Sequence, residues 1–376
     1  MAIICITLVV SIVLTVLAPV FSNWIMGYLD ARAPYDIQVF GAYNNVYEQE
    51  DLRKADYGFV RDEILKKNAQ ISESHAYYSY FLKEDDFNNR IVYEFPILAL
   101  SVTDYNRLRS MAGLEIIHLS DNEYTTQWYA TASDNDISDF LEQNVKLEIS
   151  GSTLLPASAA SYKDNLGEYI YNDYTTALFI LPDWVCEDLM EANYYFIANT
   201  DTAMPYQDAI ALQDVIGSHA SNLFESTGVK LDIRLGTIQT NESISGAFLF
   251  RMIMMYSGIV LLIICFTVLA LEQLSDSTDF KYRFGVLRKM GVSDSSINSL
   301  IAKQMGVWFG LPIAIAGVTA AMLTSYFISS YQSELSAYIG MSNLMSNIIM
   351  IMAVIAILLI CYFVSTWILF KRNLRQ

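Results

Sequence analysis

Hydrophobic residues run along this 376-residue chain in two regimes, long unbroken stretches and short alternating ones, and the two predict different architecture. Four stretches hold no Asp, Glu, Lys or Arg: Met1 to Leu29, Met252 to Leu271, Gln304 to Ser333 and Leu335 to Phe370. A helix rises about 1.5 Å per residue, so roughly 20 apolar residues cross a hydrocarbon core about 30 Å thick. Membrane-spanning helices are therefore expected near 2–24, 247–271, 305–329 and 346–370. The first stretch competes with a secretory leader, against which stand the lack of a basic start, an apolar run beyond the usual length of about 7 to 15 residues, and no evident small-x-small cleavage site.

Between the first and second spans the pattern changes to short stretches rich in aromatic and β-branched residues. Tyr35 to Tyr43, Ser74 to Leu82, Ile91 to Val102, Val145 to Ile149 and Ala177 to Leu181 read as strands. Helical spacing places Leu52, Ala55, Phe59, Ile64 and Leu65 on one face of Glu50 to Lys67. Thr103 to Gly113 opens on a Thr-Asp cap signal and stops at a glycine, Pro182-Asp183 opens a short helix over Trp184 to Met190, and Ala209 to Thr227 reads as helical. Strands interleaved with helices predict an α+β domain inserted between helices 1 and 2, with the other three helices following it.

Composition sharpens the membrane reading. The chain is 53% hydrophobic and 17% charged, against about 25% charged for a soluble protein. Its formal net charge of -17 is carried by Asn23 to Ser245, which hold 35 acidic and 14 basic residues. The loop Glu272 to Gln304 has five basic residues (Lys281, Arg283, Arg288, Lys289, Lys303) against four acidic, and the tail adds Lys371, Arg372 and Arg375. Positive charge beside span ends stays on the cytoplasmic side. Loop, tail and both termini are therefore expected inside a bacterial plasma membrane, with 25–245 outside. The expected segments are span 1–24, extracytoplasmic domain 25–245, span 246–271, cytoplasmic loop 272–304, span 305–330, short outer loop 331–345, span 346–370 and tail 371–376. An acidic exterior argues against a nucleic-acid partner. Cys5, Cys265 and Cys361 fall in the spans, so Cys186 stands alone in the exterior domain and no disulfide staples it.

No residue pattern points to catalysis. His75, His118 and His219 are far apart in sequence with no Cys or His at zinc-ligand spacing. Glu84-Asp85-Asp86 reads as a solvated turn before a cation site, and the 25 tyrosines read as packing before a ligand surface. Neither GxSxG, Walker A nor GxGxxG occurs. No cofactor or metal is expected to bind directly.

The informative stretch is Lys281 to Pro312, KYRFGVLRKMGVSDSSINSLIAKQMGVWFGLP. Gly291 is placed to end one helix with a positive φ, and Ser293 to cap a second that runs into the third span. The pattern predicts a short helix along the inner membrane face, with Phe284 and Leu287 on one side and Arg283, Arg288 and Lys289 on the other. Docking into a soluble partner and anchoring to anionic lipid fit this pattern equally. Gly306 and Gly310, four apart, permit close helix contact, in packing or in a dimer, and Pro312 invites a kink. Arg251 is the single charge in the predicted spans, so no polar translocation path is expected.

Phe284-Gly285-Val286-Leu287-Arg288-Lys289-Met290-Gly291-Val292-Ser293, followed by Ala302-Lys303-Gln304, resembles the signature of the FtsX-like permeases, membrane subunits of the MacB-type ABC transporter superfamily. Trp308, Phe309, Leu311-Pro312 and the stretch Ser101 to Gln127 resemble its low-GC Gram-positive branch, which includes bacitracin-resistance permeases. One helix, a large exterior domain and three helices is that family's layout across all 376 residues. The resemblance implies a non-enzymatic permease subunit in the lipid bilayer whose ATP is hydrolysed by a separate ABC ATPase. Phe284, Leu287, Arg288, Lys289, Met290, Gly291, Lys303 and Gln304 would then couple to that ATPase, and Gly306, Gly310 and Pro312 would serve helix packing. Movement of the exterior domain would serve export, peptide-antibiotic resistance or envelope mechanotransmission. Family members usually carry a basic helix before the first span, absent here, and the layout matches the C-terminal part of the ten-helix bacitracin type. A homodimer and pairing with another permease half are both expected states. The alternative is an envelope sensor or regulator that activates a cell-wall hydrolase or a partner kinase.

Overall fold

The computed structural model describes residues 2–32, 34–43, 55–67, 70–82, 97–149, 151–167, 170–171 and 177–375. They form two compact units, Met26–Ser245 and the pair Met1–Ile25 with Gly246–Gln376.

The first unit is built on a nine-stranded sheet in the order β5-β6-β4-β7-β3-β2-β8-β1-β9. Its strands are β1 (Ile37–Tyr43), β2 (Ile71–Leu82), β3 (Ile97–Ser101), β4 (Glu123–Trp128), β5 (Leu147–Ile149), β6 (Ser152–Tyr162), β7 (Ala177–Leu181), β8 (Glu191–Thr200) and β9 (Val229–Leu235). The pairs β3 with β7 and β4 with β6 are parallel, and the remaining neighbours are antiparallel. Helices α2 (Gly58–Lys66), α3 (Val102–Met111), α4 (Asp134–Glu142), α5 (Asp183–Glu187) and α6 (Tyr206–Thr227) complete the unit, which is α+β as the interleaving predicts. The earlier part of the predicted Glu50 to Lys67 helix and of the predicted Ile91 to Val102 strand lies outside the described residues, as do Glu84, Asp85 and Asp86.

Period-2 alternation gives the sheet two buried faces. On β1, Ile37 and Val39 join Ile233 and Leu235 of β9, with Val60 and Ile64 of α2 and Leu212 and Ile216 of α6. On β7, Leu178 and Ile180 pack with Leu100, Tyr105, Leu108 and Tyr195, while Phe179 and Leu181 pack with Tyr124, Leu147 and Val185. The tyrosines serve this packing: Tyr77 and Tyr195 stack with centroids 4.8 Å apart, and Tyr57 and Tyr194 at 3.8 Å. Burial holds the hydroxyls of Tyr35, Tyr77, Tyr105, Tyr171, Tyr194 and Tyr195 in the neutral form well above the ordinary tyrosine range.

A polar network threads the second of these cores. Arg109 donates from Nε to the Glu115 carbonyl at 2.6 Å and from Nη1 to Asp164 and to the Tyr105 hydroxyl. Tyr105 donates to Gln127 Oε1 at 2.7 Å, and Gln127 Nε2 donates to the Asp164 carbonyl at 2.7 Å. Arg109 is buried with its Nε and Nη1 donors engaged in this network.

Two local expectations are corrected. The cap of α3 is Ser101, whose Oγ accepts from the Asp104 amide at 3.1 Å and donates to Asp104 Oδ2 at 2.8 Å. Thr103 instead bonds Asp183 at the start of α5. The short helix after Pro182 covers Asp183–Glu187 and so ends before Met190.

The second unit is helical. α1 (Ala2–Arg32), α7 (Gly236–Lys289), α8 (Asp294–Ser330) and α10 (Met341–Arg375) are each long and apolar enough to cross a membrane, and α9 (Gln332–Tyr338) lies between α8 and α10. The chain thus combines four helices long and apolar enough to cross a membrane with a sheet-rich domain. All four helices are longer than the spans predicted near 2–24, 247–271, 305–329 and 346–370. The largest difference is α7, a single helix of 54 residues: the predicted 246–271 span does not give way to a 272–304 loop, and helix continues to Lys289. Much of the apolar surface of α8 and α10 faces outward, including Val307, Met322, Ile349, Ile357 and Ile360, as lipid contact requires.

The seam of α1 with α7 is close. Ser11 Oγ donates to the Gly258 carbonyl at 2.6 Å, and a Cβ placed on Gly258 would stand 2.3 Å from Thr15 Oγ1 and 3.1 Å from the Ser11 carbonyl oxygen. Small residues with hydroxyls that bond across the seam are a membrane solution to packing, where lipid supplies no hydrophobic drive.

Candidate functional site

The site singled out by sequence is the turn joining α7 to α8. α7 ends at Lys289, and Gly291 follows with φ of 86°, a conformation that costs a side-chain-bearing residue about 1 kcal/mol or more. The Val292 amide reaches back to the Leu287 carbonyl at 3.1 Å, closing the six-residue loop of a Schellman end. Ser293 caps α8, its Oγ accepting from the Ser296 amide at 3.3 Å. Gly291 and Ser293 therefore do what their residue types predict.

The side chains sort differently from the expectation. Phe284 is buried in the helical unit's own core beside Ile297, Ile301 and Phe370, and Leu287 packs partly buried against it. These two residues join α7, α8 and α10 and are turned away from solvent. The predicted short helix along the membrane face is also absent, since Phe284 to Lys289 are the last turns of α7 itself. What the turn presents outward is Tyr282, Val286, Met290, Val292 and Leu300, of which Tyr282 is 80% and Met290 66% exposed. Lys289 and Lys303 are exposed beside them. The side chains of Arg288 and Gln304 lie outside the described residues. The result is an exposed apolar tip at a helix–turn–helix, with exposed lysines on both helices.

Gly306 and Gly310 are exposed, and a Cβ on either would meet no atom within 4 Å beyond its chain neighbours and its own helix backbone. Pro312 is buried inside α8. Close helix packing within the chain falls instead at Gly258, Ser11 and Thr15, whose Gly and hydroxyl pairing a small-residue search across the first two spans would have found.

In the sheet domain His75, His219 and Cys186 are engaged structurally. His75 Nε2 sits 2.8 Å from Asp104 Oδ1 with its ring stacked on Tyr77, and the His219 ring stacks on Phe59 at 4.9 Å. The Cys186 thiol is raised far above its ordinary range by burial, then by the nearby charges of Asp183 and Asp104, and so stays protonated and unreactive. Among the described residues no three His, Cys, Asp or Glu side chains come together as metal ligands.

No protein-family model matches the chain, and no curated protein matches it. Among solved structures, the chain is similar to a crystal structure from Bacillus anthracis described as a lipoprotein, at 9% identity and a TM-score of 0.28, over 53% of this chain and 97% of that one. At that score the likeness bears on neither family nor activity.

Proposed function

We propose that this chain is the permease subunit of an ABC transporter of the FtsX/MacB type, driven by a separate ATPase subunit that docks on the turn between α7 and α8. The observation that carries the reading is the exposed apolar tip at Met290, next to exposed Lys289, at the end of a helix whose Phe284 is buried in the bundle core with Leu287 packed against it. A push on such a tip is carried into α7, α8 and α10 together, because side chains packed at core density transmit displacement. In this reading the turn and both termini face the cytoplasm, the sheet domain faces outward, and ATP-driven closure of the ATPase moves the sheet domain. The loop motif and the family layout support the assignment, and the cargo class follows from whatever the outer domain contacts.

The test is purification of the tagged full chain from its native membranes, with any captured ABC ATPase subunit identified by mass spectrometry. Met290→Asp leaves the bundle core intact and should abolish capture, because it places a carboxylate in the apolar contact. Leu287→Asp is not a clean probe, since Leu287 is part of the core. Capture by wild type and loss with Met290→Asp supports the assignment. Absence of capture by wild type, or equal capture by Met290→Asp, overturns docking at this tip and favours the sensor reading.

A further inference from the structure

Where β1, β8 and β9 meet, one face of the sheet is left with a cleft between the strands and the segment at Leu166 and Ile170. Its floor is aromatic: Phe40, Tyr77 and Tyr195 lie along it, Tyr77 parallel to Tyr195 within 12° and Phe40 centred 5.5 Å from Tyr195. Register explains the juxtaposition, since Gln38 stands opposite Ile197 and Arg234, and Phe40 opposite Tyr195 and Asp232. Alternation therefore aims Gln38 and Phe40 away from the α2 and α6 side, into the cleft.

Gln38 is the anomaly. It is only 8% exposed, it lines the cleft, and its Oε1 has no hydrogen-bond partner among the described residues. A buried carbonyl without a donor is costly, and such groups in native proteins call for an explanation. The cleft is narrow and opens to solvent at its mouth, with about 360 Å³ of empty space when that mouth is included, so it is a slot. Asp232 and Arg234 line it as well, their carboxylate and guanidinium 3.7 Å apart, which leaves the site without net charge.

We propose that this slot is a binding site for a neutral, planar aromatic group carrying one N–H or O–H donor, the ring lying between the tyrosine floor and Leu166 and Ile170 and the donor bonding Gln38 Oε1. An aromatic floor and aliphatic cover suit a planar apolar ring, and the orphan carbonyl asks for a donor.

The experiment uses the full chain in lipid nanodiscs, with ligand-observed NMR of indole and of 1-methylindole, and empty nanodiscs to subtract partition into lipid. Indole should bind saturably, and 1-methylindole about tenfold more weakly, because its ring is the same but its donor is gone. Gln38→Leu should remove that difference by weakening indole alone, and Ile170→Trp, which fills the slot, should abolish saturable binding of both. A melting curve for each variant checks that the domain is folded. Non-saturable binding beyond the lipid control, or equal affinity of the two probes for wild type, overturns the proposal. So does Gln38→Leu that melts higher than wild type and keeps the preference for indole.

Discussion

Replacing Arg109 by Met tests whether the buried polar network holds the sheet domain together. Met keeps the length and most of the apolar stem over the Tyr162 ring, 4.8 Å from the guanidinium, so packing loss is small. What disappears is the charge opposite Asp164 and the donors to the Glu115 carbonyl and the Tyr105 hydroxyl. Breaking a fully buried ion pair costs about 3–5 kcal/mol. The Asp164 side chain is 32% exposed against 7% for Arg109, so the stranded carboxylate regains part of its hydration, and about 2–4 kcal/mol is expected. For a domain of about 220 residues, that lowers the melting temperature by roughly 5–15 °C. Graded-temperature proteolysis of the purified chain, with cleavage mapped to 26–245, reads it out. Arg109→Met/Asp164→Asn should recover about 1–2 kcal/mol of the loss, because the uncompensated charge is gone. A single variant melting within about 2 °C of wild type, or a double variant worse than the single, would refute the reasoning.

Gly258→Ala should cost about 1–3 kcal/mol through overpacking of the α1 seam, seen as earlier thermal aggregation in detergent, and Thr15→Ala should restore much of it by removing the atom 2.3 Å from the new Cβ. The buried tyrosines predict alkaline lability. Their folded-state pKa values are raised while the unfolded chain titrates near 10, so their stabilisation is complete below about pH 10 and lost as pH rises above it, by about 1.4 kcal/mol per pH unit for each group. Tyrosinate absorbance from these residues should therefore appear together with unfolding, and titration near pH 10 without unfolding would contradict their burial. Ser101→Ala should destabilise the sheet domain by about 1 kcal/mol through its lost cap, whereas Thr103→Ala should leave the α3 amides satisfied, a contrast readable by hydrogen exchange at Asp104.

The sequence announces what its periodicity repeats and hides what tertiary contacts decide. The four spans, β7 and α6 show in runs and alternation. β8, the strand linking β1 to β2, does not alternate because both its faces are buried, and in sequence EANYYFIANT carries polar residues at its ends. β4 reads as polar, EYTTQW, yet Thr125, Thr126 and Gln127 are buried and Gln127 is bonded within the Arg109 network. The alternation VKLDIRL of β9 is legible, yet it directly follows a helix and is easily passed over. In α7, Glu272, Asp276, Asp279 and Arg283 have the composition of a loop, but their spacing of four, three and four is that of one helical face. At the turn, residue types gave the backbone at Gly291 and Ser293, while only packing could show that Phe284 and Leu287 point inward and Met290 outward.

The strand order also sets a timetable. β1 has β8 on one side and β9 on the other, so both its partners are synthesised about 150 residues or more after it. β2 in the meantime can pair only with β3, and the parallel pairs β3 with β7 and β4 with β6 must close through crossovers. A ribosome working at about 5–20 residues per second therefore leaves β1 with two open edges for roughly ten seconds or longer. The domain cannot assemble strand by strand from its N-terminus. It must wait for its last quarter, and in that interval the exposed edges of β1 and β2 are the segments a chaperone has to hold apart.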